Sequence, residues 1–180
     1  NGGFEDDEGW VISLTAYPAA FASAISHSGA RAMRLGIENA ADNMLSYSSV
    51  SQSLDLPDAS HLVLSFWYYP LAQDATGDAQ YLLLLDEQGG YISLMWITSD
   101  ARAWRYRSID LSAYAGRRVT LRFGVYNDGQ GGVAAMYVDD ESLVQRAAMP
   151  ARAWLPFALG GAAERSVEAE ARPEAWSTAS

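Results

Sequence analysis

The stretch Val119-Thr-Leu-Arg-Phe-Gly-Val-Tyr126 constrains the fold more than any other part of the chain. Val119, Leu121, Phe123 and Val125 alternate with Thr120, Arg122, Gly124 and Tyr126. A period of two puts the apolar row on one face of a strand, against a core, and the polar row on the other. A second strand-like run, Val133–Asp140, follows and closes on the paired carboxylates Asp139 and Asp140. The link between the two runs, Asn127-Asp-Gly-Gln-Gly-Gly132, is rich in residues that tolerate positive φ. It predicts a hairpin loop.

The rest of the chain repeats this pattern at short intervals. Trp10, Ile12 and Leu14 alternate; Ala30–Leu35, Ser46–Leu56, Tyr91–Thr98 and Ala103–Ser108 read as further strands. His61-Leu-Val-Leu-Ser-Phe-Trp-Tyr-Tyr69 is the most strand-like run and stops at Pro70. Gln80–Leu85 is apolar on both faces, which predicts an interior place in a sheet. Tyr17–Ser28 and Glu38–Asn43 read as loops, and Asp110–Gly116 as one short helical turn. Short strands at regular spacing, with no long amphipathic helix, predict an all-β, two-sheet antiparallel β-sandwich.

Composition excludes several classes of function. The net charge is −10 and the basic residues are all Arg, without a basic cluster, which argues against nucleic-acid binding. Cysteine is absent, which removes a disulfide framework, a thiolate metal site and a cysteine nucleophile. No apolar run reaches membrane-spanning length. A start at Asn1 rather than Met reads as a removed leader, hence a secreted or cell-surface protein. His27 and His61, the two histidines, stand in no metal-ligand spacing, and no nucleophile elbow, phosphate loop or dinucleotide fingerprint is present. The chain reads as non-catalytic.

A resemblance emerges from several short motifs in order: Asn1-Gly-Gly-Phe-Glu5 with Gly9-Trp10, Ser28-Gly29-Ala30, Ile109-Asp-Leu-Ser-Ala-Tyr-Ala-Gly116, and Tyr137-Val-Asp-Asp140 with Leu143. Together they resemble the galactose-binding-like jelly roll, especially the carbohydrate-binding modules attached to bacterial glycoside hydrolases. The likeness covers residues 1–146 and leaves 147–180 as a C-terminal extension. It implies glycan or polysaccharide binding and one structural calcium ion. Carried over, the metal candidates are the Gly3 carbonyl, the Glu5 carboxylate, carbonyls around Ser28 and Arg31, and Asp139. Calcium takes six to eight oxygens of this mixed kind. An ion between Glu5 and Asp139 would clip the first segment to the last strand. Asp139 is preferred to Asp140 because neighbours on a strand point to opposite faces.

Sugar binding needs exposed aromatic faces. In Phe66-Trp67-Tyr68-Tyr69, alternation sends Phe66 and Tyr68 inward with Leu62 and Leu64, leaving Trp67 and Tyr69 for the outer face. Trp96, Trp104, Tyr106 and Tyr126 are similar candidates, with Arg105, Arg107 and Asp74 as polar partners. Against this, a sandwich with six Trp and ten Tyr uses most of them for packing.

The extension departs from the family. Its segment 151–159 carries Trp154, Leu155, Phe157 and Leu159, too apolar to be left in water and too short to span a membrane. Such a segment needs a partner surface. The alternative to glycan binding is therefore a structural subunit of an extracellular filament, with this segment added as an edge strand to a neighbouring copy of the chain.

Overall fold

The computed structural model describes residues 1–73 and 75–146, so the extension with Trp154, Leu155, Phe157 and Leu159, and also Asp74, lie outside the described residues. Ten strands form two five-stranded antiparallel sheets. They are β1 (Val11–Ile12), β2 (Ala20–Ala22), β3 (Ala32–Gly36), β4 (Leu45–Asp55), β5 (His61–Gln73), β6 (Ala79–Leu85), β7 (Tyr91–Ile97), β8 (Arg105–Asp110), β9 (Arg118–Asp128) and β10 (Val133–Arg146). The first sheet runs β1-β4-β9-β6-β7 and the second β2-β3-β10-β5-β8. Among the described residues no helix is long and apolar enough to cross a membrane.

Alternation decides what lies between the sheets. Leu121, Phe123 and Val125 of β9 face Leu62, Leu64 and Phe66 of β5, all fully buried. Phe66 and Phe123 meet edge to face, with ring centroids 4.9 Å apart. Trp10 packs on Phe123 at 6.1 Å and Phe4 on Trp10 at 5.0 Å, so the N-terminal segment closes one side of the core. Buried Gln80 is the main polar link across it. Its Nε2 lies within 3.0 Å of the carbonyls of Leu71, Ser99 and Ala135, which ties β6 to the opposite sheet.

Two expectations need correction, and the expected helical turn near Asp110 is present. The runs 119–126 and 133–140 are not a hairpin: β9 pairs with β4 and β6, and β10 with β3 and β5. The glycine-rich link carries the chain from one sheet to the other. It is anchored by Asn127, whose Nδ2 donates to the Ala134 carbonyl and to the Asp78 carboxylate. Periodicity identifies strands but not their partners, and both strands here are interior, with neighbours on each side. The loop read over Tyr17–Ser28 contains the short edge strand β2, held by β3. The helical turn near Asp110 is a 3-10 turn over Ser112–Tyr114, with the Ser112 N–H donating to Asp110.

The contact of Phe123 with Trp10 and Phe66 makes it the most consequential side chain of the core. Phe123→Ala is expected to lower unfolding free energy by about 3–5 kcal/mol. Denaturant titration followed by tryptophan fluorescence would read it; a loss below about 1 kcal/mol would show that the two sheets meet elsewhere.

Candidate functional site

The outer face of the first sheet carries an array across β4, β9, β6 and β7, bordered by β1. Its rows follow from the register. Tyr47, Tyr126 and Ala79 form one row across β4, β9 and β6; Ser49, Gly124, Tyr81 and Trp96 form the next, reaching β7. Ser51, Arg122, Leu83 and Ser93 lie below them, followed by Ser53, Thr120, Leu85 and Tyr91. The face ends in a cleft between Tyr91, Tyr114, Arg117 and Arg118. Trp96 is 59% exposed and Tyr47 56% exposed, values unusual for large aromatic rings with no role in solvent.

Two aromatic pairs form the upper part of this face. Tyr47 and Tyr126 lie 4.8 Å apart, and Tyr81 and Trp96 stack nearly parallel at 5.4 Å. The second pair depends on Gly124. The Tyr81 ring lies directly over Gly124, where any β-carbon would collide with it. A glycine in mid-strand marks such a close approach. Burial pushes the Tyr81 hydroxyl pKa up, while the nearby Arg122 guanidinium draws it down. Aromatic rings beside a row of hydroxyls supply what a pyranose requires: a flat apolar surface and donors and acceptors at its edge.

Trp67, Tyr69, Trp104 and Tyr106 do gather, but on the outer face of the second sheet. Trp67 and Tyr69 point outward from β5, as alternation predicted, while Phe66 packs inward. Tyr106 lies beside Trp67 at 5.4 Å, and Trp104 approaches Tyr69 at 5.7 Å. This cluster is partly covered. The His27 ring stacks on Trp67 at 4.0 Å and 16° from parallel, and meets Trp104 edge-on at 5.4 Å. Tyr137 is buried beside Tyr69, its hydroxyl donating to Glu38. Tyr106 alone among the four candidates is largely exposed. The six aromatic candidates are thus split, with Trp96 and Tyr126 on the first sheet and the other four on the second.

Arg105 and Arg107 do not serve the Trp67 cluster. They pair with Tyr68 and Phe66 on the side of β8 opposite to Tyr106. Arg107 instead donates to the Leu94 carbonyl of β7, joining the edges of the two sheets. Sequence reading missed Tyr47, Tyr81, Tyr91 and Arg122. Arg122 and Tyr126 share the polar row of the 119–126 strand, and that shared row was the available signal.

The residues named for calcium converge on the loop 27–31. Glu5 Oε1 accepts hydrogen bonds from the Ala30 and Arg31 N–H groups at 3.0 and 3.1 Å. Fully buried Asp139 accepts from the His27 and Ser28 N–H groups at 2.8 and 3.1 Å. The Glu141 N–H donates to the Gly2 carbonyl, which holds the N-terminal segment, and with it Gly3, against the end of β10. Burial pushes the Asp139 carboxyl pKa up, and its three N–H donors oppose that rise. Among the described residues neither Glu5 nor Asp139 has a cationic partner.

Both carboxylates are of the kind that calcium takes, yet the loop groups bonded to them here are N–H donors. No three His, Cys, Asp or Glu side chains come together among the described residues, so backbone oxygens would have to complete the shell. The choice of Asp139 over Asp140 rested on alternation that fails here. The register of β10 slips between Asp139 and Ser142, and Asp140 has φ 49°. This bulge turns both carboxylates to one loop, where Asp140 meets the His27 Nδ1 and receives the Ser28 hydroxyl, each at 2.6 Å.

No protein-family model matches the sequence, and no curated protein matches it. Solved structures do. One is a carbohydrate-binding module in complex with β-1,4-galactotriose, with TM-score 0.56 and 19% identity over 81% of this chain and 92% of that one. Another is a carbohydrate-binding module of the β-sandwich superfamily, with TM-score 0.51 and 13% identity over 79% and 60% of the two chains. A third is the K1 adhesin domain of Lys-gingipain from Porphyromonas gingivalis W83, with TM-score 0.51 and 17% identity over 77% and 92%. At these identities the likeness is one of fold. The chain has the β-sandwich fold of carbohydrate-binding modules, as its motifs implied.

The Tyr81–Gly124 contact can be tested alone. Gly124→Val is expected to lift the Tyr81 ring, cost about 1–3 kcal/mol of stability and weaken the near-ultraviolet circular dichroism of the Tyr81–Trp96 pair. An unchanged spectrum would mean that the ring has room to spare.

Proposed function

We propose that this chain is a non-catalytic, extracellular glycan-binding β-sandwich whose ligand lies across the outer face of the first sheet. The observation that carries the reading is the array in which exposed Tyr47 and Trp96 stand beside Tyr126, Ser51, Thr120 and Arg122, with Tyr81 buried under Trp96 as its support. The fold shared with carbohydrate-binding modules supports it. The rings of the second sheet pack on His27 and on one another, which favours a structural role for them. Sugar hydrolysis finds little support on the proposed face. Asp55 and Asp128, its outward strand carboxylates, sit at opposite ends of the β4–β9 ladder, about 30 Å apart by strand rise. A glycosidase pair needs a gap of about 5–9.5 Å.

We also propose that calcium stabilises the domain, held by the Glu5 and Asp139 carboxylates with carbonyls of Gly3, Ser28 and Arg31. The ion would supply the positive charge that these carboxylates lack and fasten the N-terminal segment to β10. With calcium in large excess over its dissociation constant, the melting temperature of the full chain is expected to rise by about 5–10 °C. A chelator should reverse the rise and Asp139→Asn should abolish it; an identical melting temperature with and without calcium would refute the site.

Affinity electrophoresis of the full chain in gels containing β-1,4-galactan, xylan or mixed-linked β-glucan tests the binding face. Trp96→Ala is expected to weaken retention by about tenfold or more, equivalent to about 1.4 kcal/mol. Trp67→Ala should leave retention within about twofold of the parent. The reverse pattern would move the ligand to the second sheet.

A further inference from the structure

We infer that the face of the first sheet takes an acidic polysaccharide, and that Arg122 receives the ring carboxylate of a hexuronic acid residue. The inference rests on the glycan-binding reading and adds the substrate class. Arg122 points outward from the middle of β9, with Ser51 and Leu83 facing it across the two ladders and Thr120 and Gly124 outward before and after it. The diagonal positions are Ser, Tyr and Leu. No carboxylate occupies any outward position around it.

Carboxylates are plentiful in this chain, although Arg34, Arg105, Arg107 and Arg117 also lack a carboxylate partner among the described residues. Its acidic residues outnumber its arginines by 22 to 12, and other arginines find carboxylates: Arg31 with Asp7, Arg102 with Asp100 and Arg118 with Asp55. Arg122 makes one hydrogen bond among the described residues, from Nε to the Ser51 hydroxyl at 3.1 Å. This bond fixes the plane of the guanidinium and leaves both Nη groups without a protein acceptor among the described residues. The residue is half-buried, so the charge is partly desolvated and still reachable.

Geometry matches the chemistry. A planar guanidinium binds a carboxylate through two parallel hydrogen bonds, which an ammonium or a neutral amide does not reproduce. Arg122 lies diagonal to Tyr81 in the array, a Cα separation of about 7–8 Å. A pyranose stacked on exposed Trp96, which Tyr81 supports from below, therefore brings the carboxylate of a neighbouring ring toward Arg122. The overall negative charge of the protein opposes a polyanion only at long range. At physiological ionic strength that repulsion is screened beyond about 8 Å, while the close pair is not.

The test uses a matched ligand pair, polygalacturonate and its methyl ester, which differ in charge at the same carbon. Affinity electrophoresis of the full chain should show at least about tenfold stronger retention by the acid, equivalent to about 1.4 kcal/mol. Arg122→Gln, with an unchanged melting temperature, should bind acid and ester alike. Equal retention of acid and ester by the parent chain overturns the carboxylate subsite, as does an Arg122→Gln chain that still prefers the acid. Retention by β-1,4-galactan but not by polygalacturonate overturns the subsite and leaves the glycan reading standing. Retention by no polysaccharide overturns both.

Discussion

The edge-to-face contact of Phe66 with Phe123 fixes the rest of the molecule, because it sets which side of each strand faces inward. Once Phe123 is buried against Phe66, Arg122 and Gly124 must face outward, and so must Trp67 on the other sheet. The period of two then sets the composition of the outer faces wherever the strands stay regular. The array of rings and hydroxyls on the first sheet is thus a consequence of core packing, and it inherits the rigidity of that core. A surface backed by a packed core suits a ligand that is itself extended and stiff, since neither partner loses much conformational freedom on contact.

The bulge in β10 plays a comparable part for the end of the sandwich. A regular strand would have sent Asp139 and Asp140 to opposite faces. The slip between Asp139 and Ser142, with Asp140 in the left-handed region, gathers both on the loop that also receives Glu5. Four acidic or polar partners thereby fasten residues that are more than a hundred positions apart. His27 extends the arrangement to the second face, since the ring that meets Asp140 also covers Trp67.

Much of this was legible in the sequence. Alternation over 119–126 and 61–69 placed Phe123, Phe66, Trp67 and Tyr69 on the correct faces, and the motif order indicated the β-sandwich. What alternation cannot encode is pairing. The link at 127–132 has every mark of a hairpin, yet the strands it joins lie in different sheets, because each is satisfied by neighbours distant in sequence. The same limit split the aromatic candidates. Trp96 and Trp67 carry identical signals as residues, and their separation onto opposite faces follows only from which strands share a sheet. Tyr81 lay hidden in a run apolar on both sides, where its outward place depends on Gly124 of the adjacent strand. The convergence of Glu5 and Asp139 was implied by resemblance, whereas the arrival of Asp140 at the same loop needed the bulge, which leaves no clear trace in composition.

The position of β10 between β3 and β5 also bears on how the chain reaches this state. Neither of those strands bonds to the other, so the middle of the second sheet stays open until the last described strand arrives. A ribosome making the chain from its N-terminus will release β3 and β5 long before β10. During that interval their apolar edges are exposed to other chains. Contacts joining residues so far apart along the chain also close slowly. The second sheet is thus completed late, and a chain truncated before β10 would lack the strand that joins its two halves.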